Sequence, residues 1–159
     1  MPCKERLEAY LQEHQVPFQE QQHARAFSAQ RIAESEHVSS RKVAKAVIAV
    51  VDGKMISLVL PASSHVDLEL VRTLLGARSI RLAHEAEFAA AFPDCEVGTM
   101  PPFGNLYNIP VYVEKSLASE ETIIFPAGTY TDTISLNYVD FERLAHPQMM
   151  EFARPLPIA

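Results

Sequence analysis

Lys45 is embedded in an apolar run, V-A-K-A-V-I-A-V-V over residues 43–51. An ammonium is seldom placed among Val, Ile and Ala unless its head reaches solvent or a partner. On a strand it shares a face with Val43, Val47, Ala49 and Val51. Two readings follow. The stem packs and the head snorkels outward, or the lysine stands at the mouth of a pocket and does chemistry there.

A second stretch, V-G-T-M-P-P-F-G at residues 97–104, combines two prolines that stiffen a loop with two glycines that permit unusual backbone angles. A stiff loop with accessible backbone N–H groups suits a carbonyl or a developing oxyanion. Phe103 could wall a small pocket or cap the core. The third stretch, F-P-A-G-T-Y-T-D-T at residues 125–133, ends a strand at Pro126, turns at Gly128 and offers small polar groups from Thr129 to Thr133. Taken alone it is an ordinary turn.

Other chemistries are excluded by what is missing. The five glycines, at 53, 76, 98, 104 and 128, form neither G-x-G-x-x-G nor a P-loop. No serine lies in a G-x-S-x-G elbow. The six histidines show no metal-ligand spacing and read as surface or capping residues. Cys3 and Cys95 have no regular spacing, so neither a disulfide framework nor a cysteine zinc site is indicated.

The elements that must position these residues are legible from periodicity. Residues 3–15 read as an amphipathic helix stopped by Pro17, with a short edge strand through Gln22. Ser28 is placed to cap a helix that ends near His37. Lys45–Val51 and Met55–Leu60 flank Asp52-Gly53, a strong hairpin signal. A helix over Asp67–Leu75 ends at Gly76. Then come a strand at Ser79–Leu82, a helix at His84–Phe92 and a Gly/Pro-rich loop over Asp94–Asn108. Strands at Val111–Glu114, Thr122–Pro126 and Thr131–Leu136 precede a last helix at Val139–Leu144. The tail from residue 146 to 159 is expected to be peripheral and poorly ordered. The pattern predicts a single α/β domain with a mixed, mostly antiparallel sheet flanked by helices.

Composition narrows the partners. Of 159 residues, 48% are hydrophobic, which excludes general disorder, and no apolar run approaches the length of a membrane span. The first residues lack the apolar core of a signal peptide, so a soluble cytoplasmic protein is expected. The net charge of -6 argues against a protein that wraps duplex nucleic acid, while leaving room for a local contact with a nucleic-acid end.

Four stretches in this order, H-A-R-A-F-S-A from residue 23, V-A-K-A-V-I, V-G-T-M-P-P-F-G, and F-P-A-G followed by T-I-S-L, span residues 17–145. In this the chain resembles the YbaK/ProX-type aminoacyl-tRNA deacylases, which include free-standing trans-editing proteins and the editing domain of bacterial prolyl-tRNA synthetases. The resemblance implies hydrolysis of the ester joining a small amino acid, such as alanine, serine or threonine, to the wrong tRNA. Water would attack, helped by a ribose hydroxyl of the terminal adenosine, with no cofactor, metal or protein nucleophile. Lys45 would hold the terminal nucleotide or carbonyl region, and the Gly98 N–H would hold the carbonyl and orient water. Pro101, Pro102, Phe103 and Gly104 would shape the aminoacyl pocket. Phe27 and Ser28 would stand at its entrance, and Gly128, Thr129 and Thr133 would line its far side. The expected partners are the tRNA acceptor end and a synthetase. The alternative is a binding module without turnover that docks on a synthetase.

Overall fold

The computed structural model describes residues 2–23, 25 and 28–156. In chain order these form α1 (Cys3–Glu13), β1 (Phe18–Gln22), α2 (Ala29–Glu36), β2 (Ala44–Val51), β3 (Lys54–Pro61), β4 (Ser64–Val66), α3 (Leu68–Leu75), β5 (Ile80–Leu82), α4 (Glu85–Ala91), β6 (Val111–Glu114), β7 (Thr122–Pro126), β8 (Asp132–Asn137), α5 (Tyr138–Ala145), β9 (Gln148–Met150) and β10 (Ala153–Pro155). The helix and strand boundaries follow the chemistry read from sequence. Ser28 accepts a hydrogen bond from the Arg31 N–H and caps α2, and Asp67 does the same for Leu70 at the start of α3. Gly76 closes α3 in the left-handed conformation.

The central sheet runs β5-β2-β3-β6-β9. The β2–β3 hairpin is antiparallel, with Lys45 opposite Leu60, while β6 and β9 join in parallel. A second, antiparallel sheet runs β1-β8-β7, and β4 pairs with β10. The mixed α/β expectation holds, with the strands divided among three sheets.

One detail of this topology makes room for a site. β5 covers only Ala49–Val51 of β2, so among the described residues the first half of β2 has no strand along that edge. Just before it, a parallel bridge from Val43 to Ile124 ties the strand's entry to β7. Lys45 thus sits where the sheet edge opens.

The tail is not peripheral. β9 extends the central sheet, β10 pairs with β4, and Phe152 between them is fully buried against Ala49, Ile56, Leu58, Leu60 and Val71. The buried Glu114 carboxylate fastens this segment, with Oε1 accepting from the Phe152 N–H at 3.1 Å and the Ala153 N–H at 3.3 Å. Local periodicity misses such short strands because their stability comes from pairing with distant ones.

A disulfide joins Cys3 and Cys95, with Cα atoms 4.9 Å apart, which overturns the reading of two separate thiols. Its 92-residue separation hides it from any spacing rule. What brings the cysteines together is the seating of α1 on the loop after α4. The Cys3 N–H donates to the Asp94 carbonyl at 3.2 Å, and Arg6 pairs with the Asp94 carboxylate at 2.9 Å. Among the described residues no helix is long and apolar enough to cross a membrane.

The other face of α1 carries a charge cluster with β1 and β8. Lys4 Nζ lies 2.8 Å from Glu20 and 3.5 Å from Asp132, and the hydrogen bond with Glu20 chiefly holds its pKa above the ordinary value. Burial, with Glu20 alongside, pushes the Glu8 carboxyl up to about 7, so the two carboxyls share a proton near neutrality.

Two outcomes test this architecture. Phe152→Ala should cost about 3–5 kcal/mol in denaturant unfolding, where a peripheral tail would cost under about 0.5 kcal/mol. The raised Glu8 pKa stabilises the fold fully below the usual 4.5, and that contribution is lost as pH rises through about 7. Glu8→Gln should therefore match wild type in melting temperature at low pH and exceed it at pH 8. A wild-type advantage at pH 8 would contradict the shared proton.

Candidate active site

A small cleft forms where the open edge of β2 meets α2, the 97–104 loop and the turn after β7. Its described lining is Ser28, Ala29, Ile32, Lys45, Ala46, Gly98, Thr99, Met100, Pro126 and Thr129, with about 40 Å³ open to water. That is space for a few water-sized groups.

Lys45 supplies the cleft with a cation. It is half-buried, and desolvation lowers its pKa from the ordinary 10.5. Among the described residues no carboxylate pairs with it. A charge in this state gains most from a ligand that brings negative charge or an acceptor oxygen.

Gly98 supplies a donor. Its φ of +84° belongs to the left-handed region, and a Cβ built there would meet nothing within 4 Å. Glycine is therefore required by the backbone angle and not by crowding. The residue is exposed, and among the described residues no hydrogen bond takes up its N–H.

This loop is held in place by the 128–130 turn. The Glu96 N–H donates to the Gly128 carbonyl at 2.9 Å, and the Gly128 N–H donates to the Thr99 carbonyl at 3.0 Å. Glu96 Oε2 accepts from the Tyr130 N–H at 2.6 Å, and the Tyr130 hydroxyl donates to the Val97 carbonyl at 2.6 Å. Bonds on both sides of Gly98 fix its geometry before any substrate arrives, which is the condition for a preorganised oxyanion donor.

The hydroxyls of the lining are largely committed elsewhere. Thr99 Oγ1 donates to the Glu96 carbonyl at 2.6 Å, and Thr129 Oγ1 donates to Asp132 Oδ2 at 2.6 Å. Burial raises the Asp132 pKa, but hydrogen bonds from Thr129 and Gln22 and the Lys4 charge outweigh it and leave the carboxyl ionised. Ser28 Oγ is occupied as an acceptor in the α2 cap. Among the described residues none of the three bonds a histidine, and the one carboxylate in contact, Asp132 on Thr129, is also held by Lys4 and Gln22. The chemistry available is a cation and a backbone donor around a small space, which suits positioning of water and ester.

The structure brings Lys45, Gly98, Ser28 and Thr129 together in this lining. Phe27 lies outside the described residues. Pro101 and Pro102 are buried beyond the lining, where they carry the chain from Met100 into the interior. Phe103 corrects the pocket-wall reading. It is fully buried in the main core, with its ring centroid 5.7 Å from Phe125 and 5.5 Å from Phe141.

Gly104 serves packing too, since a Cβ would stand 2.9 Å from the Ile109 carbonyl oxygen. Gly128 is buried against the disulfide and acts on the cleft only through its backbone. Thr133 is fully buried in β8 and donates to Glu36 Oε2 at 2.6 Å, beside His23. Of the histidines, His37, His84 and His146 do cap helices, whereas the His23 side chain is almost wholly enclosed.

Sequence reasoning missed Ala29, Ile32, Ala46, Thr99, Met100 and Pro126 as lining. Ala29, Ala46, Thr99 and Met100 adjoin residues that were singled out, while Ile32 lies one helical turn from Ser28 and Pro126 two positions before Gly128, and only the fold turns them toward the cleft. It also missed Glu96, whose role as a brace lies in contacts more than thirty positions away.

Comparison with known proteins agrees with this geometry. A family model described as an aminoacyl-tRNA editing domain matches residues 23–144. The multifunctional Ser/Thr-tRNA deacylase ProXp-y of Escherichia coli K12 is 24% identical over 155 residues, covering 94% of this chain and 92% of that protein. Two crystal structures share the fold at 16% identity. One is a protein proposed as a trans-editing enzyme for prolyl tRNA synthetase, with a TM-score of 0.83 over 97% of this chain and 98% of its own. The other is the hypothetical protein APE2540, with a TM-score of 0.85 over 94% and 99%. With the matched region reaching from His23 to Leu144 and enclosing the whole described cleft, the chain belongs to the aminoacyl-tRNA editing domain family.

Proposed function

We propose that this protein is an aminoacyl-tRNA deacylase that clears a small amino acid from a mischarged tRNA. The observation that carries the reading is the pairing, in one small cleft, of a lysine and a backbone N–H that have no carboxylate and no acceptor, respectively, among the described residues. The substrate is an ester, already activated relative to an amide, so orientation and charge stabilisation account for the rate.

In this reading the Lys45 ammonium holds the terminal nucleotide or the carbonyl region. The Gly98 N–H hydrogen-bonds the carbonyl oxygen and stabilises the negative charge that develops on it as water adds. A ribose hydroxyl of the terminal adenosine orients that water, and the ribose oxygen leaves with a proton as the acid is released. The room in the cleft fits the side chain of alanine, serine or threonine. Ser28 is the lining hydroxyl that donates to no acceptor among the described residues, and it is the natural contact for a hydroxylated substrate. The expected tRNA partner follows from the family, and a synthetase that hands over the acceptor end would raise local substrate concentration.

Deacylation of alanyl-, seryl- and threonyl-tRNA mischarged on several tRNAs, by wild type and Lys45→Met, tests the proposal. Turnover of the best substrate should fall at least about 100-fold in the variant. Because the folded-state pKa of Lys45 is depressed, its charge costs stability at neutral pH, and the cost fades as pH rises toward 10.5. Lys45→Met should thus melt at or above the wild-type temperature at pH 7, with the difference shrinking at higher pH. Full activity in Lys45→Met would remove the lysine from the mechanism. Saturable binding without turnover by wild type on every substrate would favour the binding module.

A further inference from the structure

The cations of this chain are distributed unevenly. Eight of its 14 lysines and arginines form ion pairs with carboxylates: Lys4, Arg6, Arg31, Arg72, Arg81, Lys115, Arg143 and Arg154. Arg25 lies over the Tyr130 ring. Among the described residues, five have no carboxylate partner, and three of these, Arg41, Lys42 and Lys45, fall within five consecutive positions, of which Lys45 lines the cleft. The other two, Lys54 and Arg78, belong to the far end of the hairpin, roughly 20 Å along β2. Residues 23–45 carry five cations against Glu34 and Glu36, in a chain whose net charge is -6. The positive face is local, and it is beside the cleft.

The turn that presents Arg41 and Lys42 is built rather than loose. Ser39 Oγ accepts from the Arg41 N–H at 3.2 Å, and the Lys42 N–H donates to the Ser39 carbonyl at 3.0 Å. The Lys42 carbonyl accepts from the Ile124 N–H at 2.9 Å, which fixes the turn to β7. Both side chains project from an exposed surface between α2 and β2, the two elements that supply Ser28, Ile32, Lys45 and Ala46 to the lining. Three or four residues of extended chain cover at most about 14 Å, the reach of two or three nucleotides of a single strand.

Resting on the deacylase reading, we infer that Arg41 and Lys42 form the phosphate-binding surface that receives the single-stranded 3′ end of tRNA just upstream of the acylated ribose. Exposed, uncompensated cations held on a fixed turn gain from phosphates without the cost of breaking an existing ion pair. The acidic remainder of the surface repels the rest of the polyanion and limits binding to this approach.

The test compares Arg41→Gln/Lys42→Gln with Lys54→Gln/Arg78→Gln, which removes equal charge at the far end. Each is assayed on the best-cleaved mischarged tRNA over a range of KCl, and on the same amino acid esterified to adenosine alone. The cleft-side pair should raise KM for tRNA roughly tenfold at low salt with little change in kcat, and flatten the slope of log(kcat/KM) against log salt by roughly 1 to 2. Its preference for tRNA over the adenosine ester should fall by the same factor, and the far-end pair should change each quantity less than about twofold. Equal effects of the two pairs, or an unchanged slope in the cleft-side pair, would overturn the inference while leaving an active deacylase. Wild-type inactivity on every tRNA and ester would overturn the deacylase reading and this surface with it.

Discussion

Two loops from distant parts of the chain must be held within hydrogen-bond distance for this cleft to exist, and Glu96 is the residue on which they meet. Its N–H, its carbonyl and its carboxylate are all engaged, reaching Gly128, Thr99 and Tyr130. Everything that faces the substrate space is downstream of that meeting. Gly98 has its donor exposed because its neighbours on both sides are braced, and Thr129 has its place because the turn is pinned from the same hub. In the proposed mechanism rate comes from geometry, so the rigidity of this contact takes the standing that a catalytic base has elsewhere.

Lys45 shows the complementary economy. The strand around it is stable because it is apolar, and the ammonium is accepted at some loss because the sheet edge opens there. Sites of function commonly retain such unfavourable groups, since their replacement by a better-packed residue removes the activity along with the penalty. Arg41 and Lys42 stand in the turn that leads into this part of β2, which the Ile124 N–H fixes through the Lys42 carbonyl.

Most of the fold was legible because its signals are local. Ser28, Asp67 and Gly76 mark helix ends through bonds to residues three or four positions away, and Asp52-Gly53 defines the hairpin from its own four residues. Lys45 and Gly98 were legible as residues of the cleft because each is out of keeping with its surroundings in sequence. What could not be read is what depends on distant partners. β9 and β10 exist through pairing with β6 and β4, the disulfide through the docking of α1, and the buried polar set of His23, Glu36 and Thr133 through the packing of α2 on β8. Phe103 is instructive because its loop lines the cleft while its side chain is buried in the core. The chain enters the core within five residues of Gly98, and a linear motif does not record that descent.

The contact between Gly128 and the disulfide binds two chain regions into one unit of variation. A Cβ at position 128 would lie 2.6 Å from Cys3 Sγ, on a backbone with φ of +93°. The Cys3 Cβ, at 2.8 Å, and the Lys4 backbone nitrogen, at 3.2 Å, close the same space, so residue 128 is confined to glycine by its backbone angle and by the seat of α1 as well as by the sulfur. A larger residue there would need both another turn and another seat for α1, so the cleft's far turn and the first turn of α1 are free to vary only together.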